Sequence, residues 1–151
     1  MRGRPLSLKG RALRLQSGRE HSRAELERKL AAHEAEPGEL RRILDELQAK
    51  GFIDERRVLD SVLHRRVARL GAARIRQELQ GKGLDPQMVD RAVEDLRSTE
   101  LQRAREVWRK KFGQLPADAR ERGKQARFLA ARGFAGEVIG RVLCGGGEDA
   151  G

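Results

Sequence analysis

The segment LQGKGLDPQMVDRAV, residues 79–93, is followed fifty residues later by LAARGFAGEVIGRVL, residues 129–143, built on the same apolar skeleton. Leu79, Leu84, Val89 and Val93 align with Leu129, Phe134, Ile139 and Leu143 at a constant shift of 50. The punctuation repeats as well. GKG ends at Gly83 and ARG at Gly133, each placing glycine where a helix C-terminus calls for a positive φ. Upstream, at a shift of 49, Leu30, Leu40 and Leu44 take the places of Leu79, Val89 and Val93. Pro37 likewise takes the place of Pro86, and proline is a natural first helical residue because its missing N–H would be unpaired there anyway. This first copy departs at the turn, with Glu34 in place of the glycine and Ala35 in place of the larger apolar residue. A small unit repeated in this way cannot hide its apolar stripe alone, so the chain is constrained to stack each unit on the next.

Each copy is preceded by a further segment of helical period that ends at a glycine: LKGRALRLQSG, DERRVLDSVLHRRVARLG and TELQRAREVWRKKFG. Ser22 and Glu25 form an S-x-x-E capping box ahead of LERKL, and Asp85 is a natural N-cap before Pro86. The composition agrees with helices throughout: aromatics are 3%, tyrosine is absent, and Leu, Ala, Arg and Glu dominate. The expected fold is therefore all-α, with nine short helices in three tandem three-helix repeats stacked into an elongated, curved, solenoid-like molecule. The expected bounds are a flexible N-terminus over 1–7, repeats over 8–53, 54–98 and 99–144, and a disordered tail over 145–151. A compact nine-helix bundle is the alternative.

The net charge of +10 suggests an acidic partner, either nucleic acid or an acidic protein surface. Between Ser61 and Gln77 lie Arg65, Arg66, Arg69, Arg74 and Arg76 with no acid among them. A second dense region holds Arg109, Lys110, Lys111, Arg120, Arg122, Lys124, Arg127 and Arg132, with Glu121 the only acid after Asp118. Elsewhere acids and bases interleave, Glu25 with Lys29 and Glu46 with Lys50 standing at i,i+4, the spacing of helix-surface pairs. Unbalanced arginine is the informative part, because a guanidinium makes bidentate contacts to carboxylate or phosphate. The two runs are the candidate binding residues; solvated helix faces are the alternative.

Other classes find little support. His21, His33 and His64 lack metal-ligand spacing and are expected as exposed or packing residues; one cysteine, Cys144, supplies no zinc set, and no phosphate-cradling glycine loop occurs. No catalytic constellation stands out, so the protein is expected not to be an enzyme and to need no metal or cofactor. No stretch approaches the length of a membrane span, and with the lone cysteine this points to the cytoplasm, with no membrane partner. A monomer is the expected state. Trp108, Phe112, Phe128 and Phe134 crowd into the last unit, where helical spacing makes them core rather than a base-stacking platform, with Trp108 and Phe112 one buried edge. The helix–glycine turn–helix pattern is not expected to read DNA sequence, since DPQMVDRAV opens its second helix with an acid and AGEVIGRVL offers little polar reach.

Four stretches, taken jointly and in order, carry a resemblance: REHSRAELERKL, DELQAKGFIDERR, RIRQELQGKGLD and KQARFLAARGFAGEVIGRVL. Over about residues 8–144 the chain resembles the RecX family of regulatory proteins, which modulate the RecA recombinase. The resemblance implies tandem three-helix repeats. It also implies binding to the RecA filament on single-stranded DNA, along the groove and across neighbouring protomers, with inhibition of ATP hydrolysis, strand exchange and filament growth. Weak direct binding to DNA is an alternative route, in which a basic protein acts by competing for DNA irrespective of sequence. Two positions depart from common forms of the family. DERRVLD has Arg57 and Val58 where an aromatic such as that of DDERFA is frequent, and ARLGAARIRQEL keeps Arg74 and Arg76 but lacks the proline of RKGPRRIRQEL.

Overall fold

The computed structural model describes residues 5–145; residues 1–4 and the bulk of the expected tail, 146–151, lie outside them. The protein is all-α, with nine α-helices and no strand among the described residues: α1 (Leu8–Gly18), α2 (Arg23–Leu30), α3 (Glu39–Ala49), α4 (Glu55–Arg66), α5 (Ala72–Gly81), α6 (Pro86–Arg97), α7 (Glu100–Lys111), α8 (Ala119–Ala131) and α9 (Gly136–Leu143). No helix among the described residues is long and apolar enough to cross a membrane. The chain divides into two compact units, one comprising the described residues up to Ser61 with Gly81–Asp85, the other Val62–Gln80 and the residues from Pro86 onward.

The first unit is organised on a leucine core from α1, α2 and α3: Leu8, Leu26, Leu30, Leu40, Leu44 and Leu47, closed by Ile53. The expected capping box starts α2, with the Ser22 side chain accepting from the Glu25 N–H and the Glu25 carboxylate from the Ser22 N–H. Lacking a glycine at the turn, the first copy leaves α2 through a tight 3-10 turn, Ala31–His33, into extended Glu34. The third helix of this copy does not begin at Pro37 as its alignment with Pro86 suggests. It begins at Glu39 behind Gly38, whose φ is 84°, whereas Pro86 does open α6. Without a Gly83-type turn, the first copy passes through the 3-10 turn and positive-φ Gly38, and its third helix starts later than the alignment places it.

At Gly83 and Gly133 the expected positive φ is present, 69° and 92°. Each of these turns meets the start of a preceding repeat's second helix. In the first unit the Ser22 hydroxyl donates to the Lys82 carbonyl (2.5 Å), and Arg28 donates to the Gly81 carbonyl (3.1 Å). In the second unit the Gly71 N–H donates to the Arg132 carbonyl (2.8 Å), the Ala73 N–H to that of Gly133 (3.3 Å), and Arg74 to that of Ala131 (2.6 Å). Lys82 and Arg132, and Gly81 and Ala131, are repeat-equivalent at the shift of 50. The repeat is thus one of contacts as well as of residues: the helix-end carbonyls of one copy are satisfied by the copy before it.

The expected Glu25–Lys29 pair is replaced by longer-range partners. Glu25 turns inward and meets Arg19 (3.0 Å) and Lys82 (3.3 Å), while the Lys29 ammonium lies 3.1 Å from His21 Nε2; Glu46 and Lys50 do pair, at 2.9 Å. The capping box fixes this, because it already points Glu25 back at the helix start. Burial alone would raise the Glu25 pKa, but the Ser22 N–H and the Arg19 and Lys82 charges overcome it and hold the carboxyl at about 2. A folded-state pKa below the unfolded one stabilises above the unfolded value and loses that contribution as pH falls through the interval. With a side chain only 9% exposed, Glu25 is expected to contribute about 2 kcal/mol at pH 7. Glu25→Gln should lower the urea midpoint at pH 7, with the gap to the parent protein closing as pH drops from 4.5 to about 2. A gap independent of pH would overturn this account.

Candidate functional site

In the second unit one core cluster is Ala104, Leu129, Phe134, Ile139, Val142 and Leu143, with Trp108 and Phe128 packed against it. Of the four aromatics only Phe134 is fully buried; Trp108, Phe112 and Phe128 are partly buried, so the expected buried edge of Trp108 and Phe112 is half open, and Phe112 is set edge-on to Phe128 with ring centres 5.4 Å apart. Trp108 donates its indole N–H to buried Gln125 (2.7 Å). Phe128 also carries cations on its ring, with Lys111 Nζ at 5.3 Å and the Arg132 guanidinium at 4.9 Å from the centroid.

The α4–α5 connection and the α8–α9 turn are held together by the Gly71, Ala73 and Arg74 hydrogen bonds, and this juxtaposition builds a cleft of about 400 Å³ lined by Arg66, Arg69, Arg74 and Arg132, with Glu78 its one acid. The cleft joins residues from both charge runs. Arg66 is tied to Glu78 at 3.0 Å, and Arg65 outside it stands 3.9 Å from the same carboxylate. Arg74 is fixed by its bond to Ala131, and Arg132 by Phe128, so two of the guanidinium groups are oriented without a carboxylate. Arg69 is exposed and has no ion-pair partner among the described residues. Four guanidinium groups against one carboxylate among the described residues, at a concave surface, match the chemistry of carboxylate or phosphate oxygens.

The remaining candidates divide. Arg76 is taken up by Asp90 at 2.7 Å, and Arg109 by Glu106 at 2.6 Å, with Lys110 4.0 Å from the same carboxylate. Arg122 reaches the Leu143 carbonyl (3.4 Å) at the end of α9. Arg120, Lys124 and Arg127 stand on one side of α8 and line a separate hollow of about 730 Å³ with Phe112 and Leu115, into which Asp118 and Glu121 also project. The run counted as acid-free along the sequence is therefore not acid-free in space, because Glu78 and Asp90 come from beyond its end.

Two functional-looking charges that the runs do not contain are structural. Glu100, buried, accepts from the Ala72 N–H at 2.6 Å, and Arg103 donates to the carbonyls of Val67 (3.0 Å), Leu70 (2.7 Å) and Leu96 (3.0 Å). Ala72 occupies the position of the proline noted above, and its N–H, which proline would lack, is the one Glu100 accepts. At the other departure, Val58 is buried, while Arg57 pairs with Glu20 (2.9 Å) and donates to the Gly51 carbonyl (2.8 Å).

Comparison with known proteins agrees with this architecture. The family model described as RecX, third three-helix domain, matches residues 98–143. Regulatory protein RecX of Leptothrix cholodnii is 57% identical over 138 residues, covering 91% of this chain and 88% of the relative. Regulatory protein RecX of Ralstonia nicotianae is 45% identical, covering 93% and 89%. The crystal structure of RecX from Lactobacillus salivarius superposes with a TM-score of 0.74 over 91% of this chain and 92% of that one, and at 19% identity it speaks for the fold. With its three-helix architecture and with relatives this similar along nearly its whole length, the chain belongs to the RecX family of regulatory proteins.

Proposed function

We propose that the protein is a non-enzymatic regulator, an inhibitor, of the RecA recombinase. It works in the cytoplasm as a monomer, binds the RecA filament on single-stranded DNA along the groove, and suppresses ATP hydrolysis, strand exchange and filament growth. The observation that carries the reading is the cleft of Arg66, Arg69, Arg74 and Arg132 in a member of the RecX family. Its guanidinium groups are set for carboxylates of a protein surface as well as for phosphates, and a filament offers many copies of the same site, so avidity builds along the lattice. The candidate contact residues are the thirteen of the two charge runs, with Arg69, Arg74 and Arg132 foremost.

One observation favours a second reading. Arg120, Lys124 and Arg127 form an exposed row on α8, which would suit a phosphate backbone and make the protein a sequence-independent DNA binder that acts by competition. The single-stranded-DNA-dependent ATPase of preformed RecA filaments separates the two, with this protein well below RecA and DNA in excess. A falling rate under those conditions requires action on the filament. A rate unchanged until the protein suffices to cover the DNA selects the DNA binder, whose affinity should also fall about 0.7 log unit per contact per decade of salt. In the same assay, Arg69→Glu with Arg74→Glu should raise the half-inhibiting concentration on the order of tenfold while helicity is kept. Inhibition that survives this pair and Arg120→Glu with Arg127→Glu would show the contact surface to be elsewhere.

A further inference from the structure

The first unit holds a concavity that neither charge run touches. Leu6, Leu15 and Leu30 form its floor and Arg11, Arg14 and Lys29 its rim, enclosing about 490 Å³. On α1 the positions 11, 14, 15 and 18 fall on one face by helical spacing, so two arginines, a leucine and a glycine border the hollow together. Leu6, 43% exposed, is one of three large apolar side chains that the described residues leave open to solvent, and it lies at this opening.

The rim is electrostatically uncompensated. In the same unit Lys9, Arg23, Lys50 and Arg57 each hold a carboxylate, at 2.7, 2.7, 2.9 and 2.9 Å. Among the described residues Arg11 and Arg14 hold none and no acid lines the concavity; Arg19, which also borders it, is held by Glu25 at 3.0 Å. Lys29 is held toward it by buried His21: with Nδ1 protonated and donating to the Arg19 carbonyl (2.9 Å), Nε2 is left to accept from the ammonium at 3.1 Å. Burial lowers the His21 pKa, which suits this neutral tautomer. An apolar floor bordered by Arg11, Arg14 and Lys29, none of them held by a carboxylate among the described residues, fits a ligand with an apolar centre and anionic flanks. The floor is leucine with no aromatic ring, so it offers no stacking surface for a nucleobase, and its volume, within the usual ~300–1,000 Å³ of ligand pockets, admits one large side chain with its flanking backbone.

We propose that this concavity binds a short acidic segment of a partner protein, seating one bulky apolar side chain on Leu6, Leu15 and Leu30 while flanking carboxylates meet Arg11, Arg14 and Lys29. The inference stands apart from the RecA reading, and its test contains no RecA. A fluorescein-labelled peptide Gly-Asp-Glu-Phe-Asp-Glu-Gly is titrated with the full-length protein and followed by anisotropy. Saturable binding is expected, weakened about tenfold by Arg11→Glu with Arg14→Glu, by Lys29→Glu alone, or by serine in place of the peptide's phenylalanine. Arg56→Glu, exposed in the same unit but outside the concavity, should leave it unchanged. Circular dichroism of each variant identifies any that has not folded, and exposed Lys29 reports on the rim if the α1 pair has not. The proposal is overturned by an absence of saturable binding, by equal affinity for the serine peptide, by indifference to Lys29→Glu, or by displacement of the peptide by an equal concentration of a thymidine hexanucleotide.

Discussion

Gly71→Ala is expected to lower the stability of the second unit by about 2–4 kcal/mol, although it adds a single methyl group. Gly71 is buried where the α4–α5 connection crosses the α8–α9 turn, and a Cβ there would overlap the carbonyl group of Gly133 and crowd the Phe134 N–H. Both are main-chain groups and have no rotamer by which to step aside. The methyl must separate the two segments, and with them the Gly71–Arg132 and Ala73–Gly133 hydrogen bonds. Gly140→Ala supplies the contrast, since a Cβ there meets nothing within 4 Å inside α9. It should stabilise by roughly 0.5–1 kcal/mol through helix propensity. Urea unfolding followed at 222 nm measures both, and a neutral Gly71→Ala would show that the close approach is absent. Because the arginine cleft is assembled from the same two segments, Gly71→Ala should also weaken whatever binds there in the fraction that remains folded.

The repeat made much of this legible. Its apolar skeleton marks residues that are buried in every copy, Leu30, Leu79 and Leu129 among them, and its glycines mark the two positive-φ turns. Helix identity follows from local pattern, and local pattern is what a sequence displays. Pro37 shows the limit: the alignment with Pro86 predicts a helix start there, whereas the chain runs through a 3-10 turn and positive-φ Gly38 and starts the helix at Glu39. The candidate site was legible only in part, for a similar reason. Charge counted along the chain cannot see Glu78 and Asp90 folding back onto Arg66 and Arg76, nor the meeting of Arg132 with Arg69 and Arg74. The basic rim over Leu6, Leu15 and Leu30 stayed hidden because its cations are separated by ordinary interleaved sequence and gather only when α1 and α2 pack. One signal was present and unused. On α7 positions 100 and 104 are buried and 103, 107 and 108 partly buried along one stripe, so helical spacing alone places Glu100 and Arg103 on the inward face.

Arg103→Met is the second large effect expected, a loss of about 2–4 kcal/mol measured in the isolated protein by urea unfolding. A charge census would put Arg103 with the binding arginines, yet its guanidinium is spent on carbonyls of Val67 and Leu70, just beyond α4, and of Leu96, near the end of α6. All three lie at or just past a helix C-terminus, the negative end of the helix dipole, and although the Leu96 carbonyl also accepts from the Thr99 N–H (3.2 Å), a cation among them satisfies hydrogen bonds and field together. Burial lowers the Arg103 pKa, an effect that nearby Glu100 opposes, and the guanidinium remains charged at any ordinary pH. Methionine keeps the volume and removes every donor. Lysine keeps the charge but has no planar fork to serve three carbonyls at once, so Arg103→Lys should recover less than half of the loss. The same pair of variants separates architecture from recognition. If Arg103 served a partner, Arg103→Met would leave the unfolding midpoint in place and weaken only binding; as a clamp on two helix ends, it must move the midpoint with no partner present.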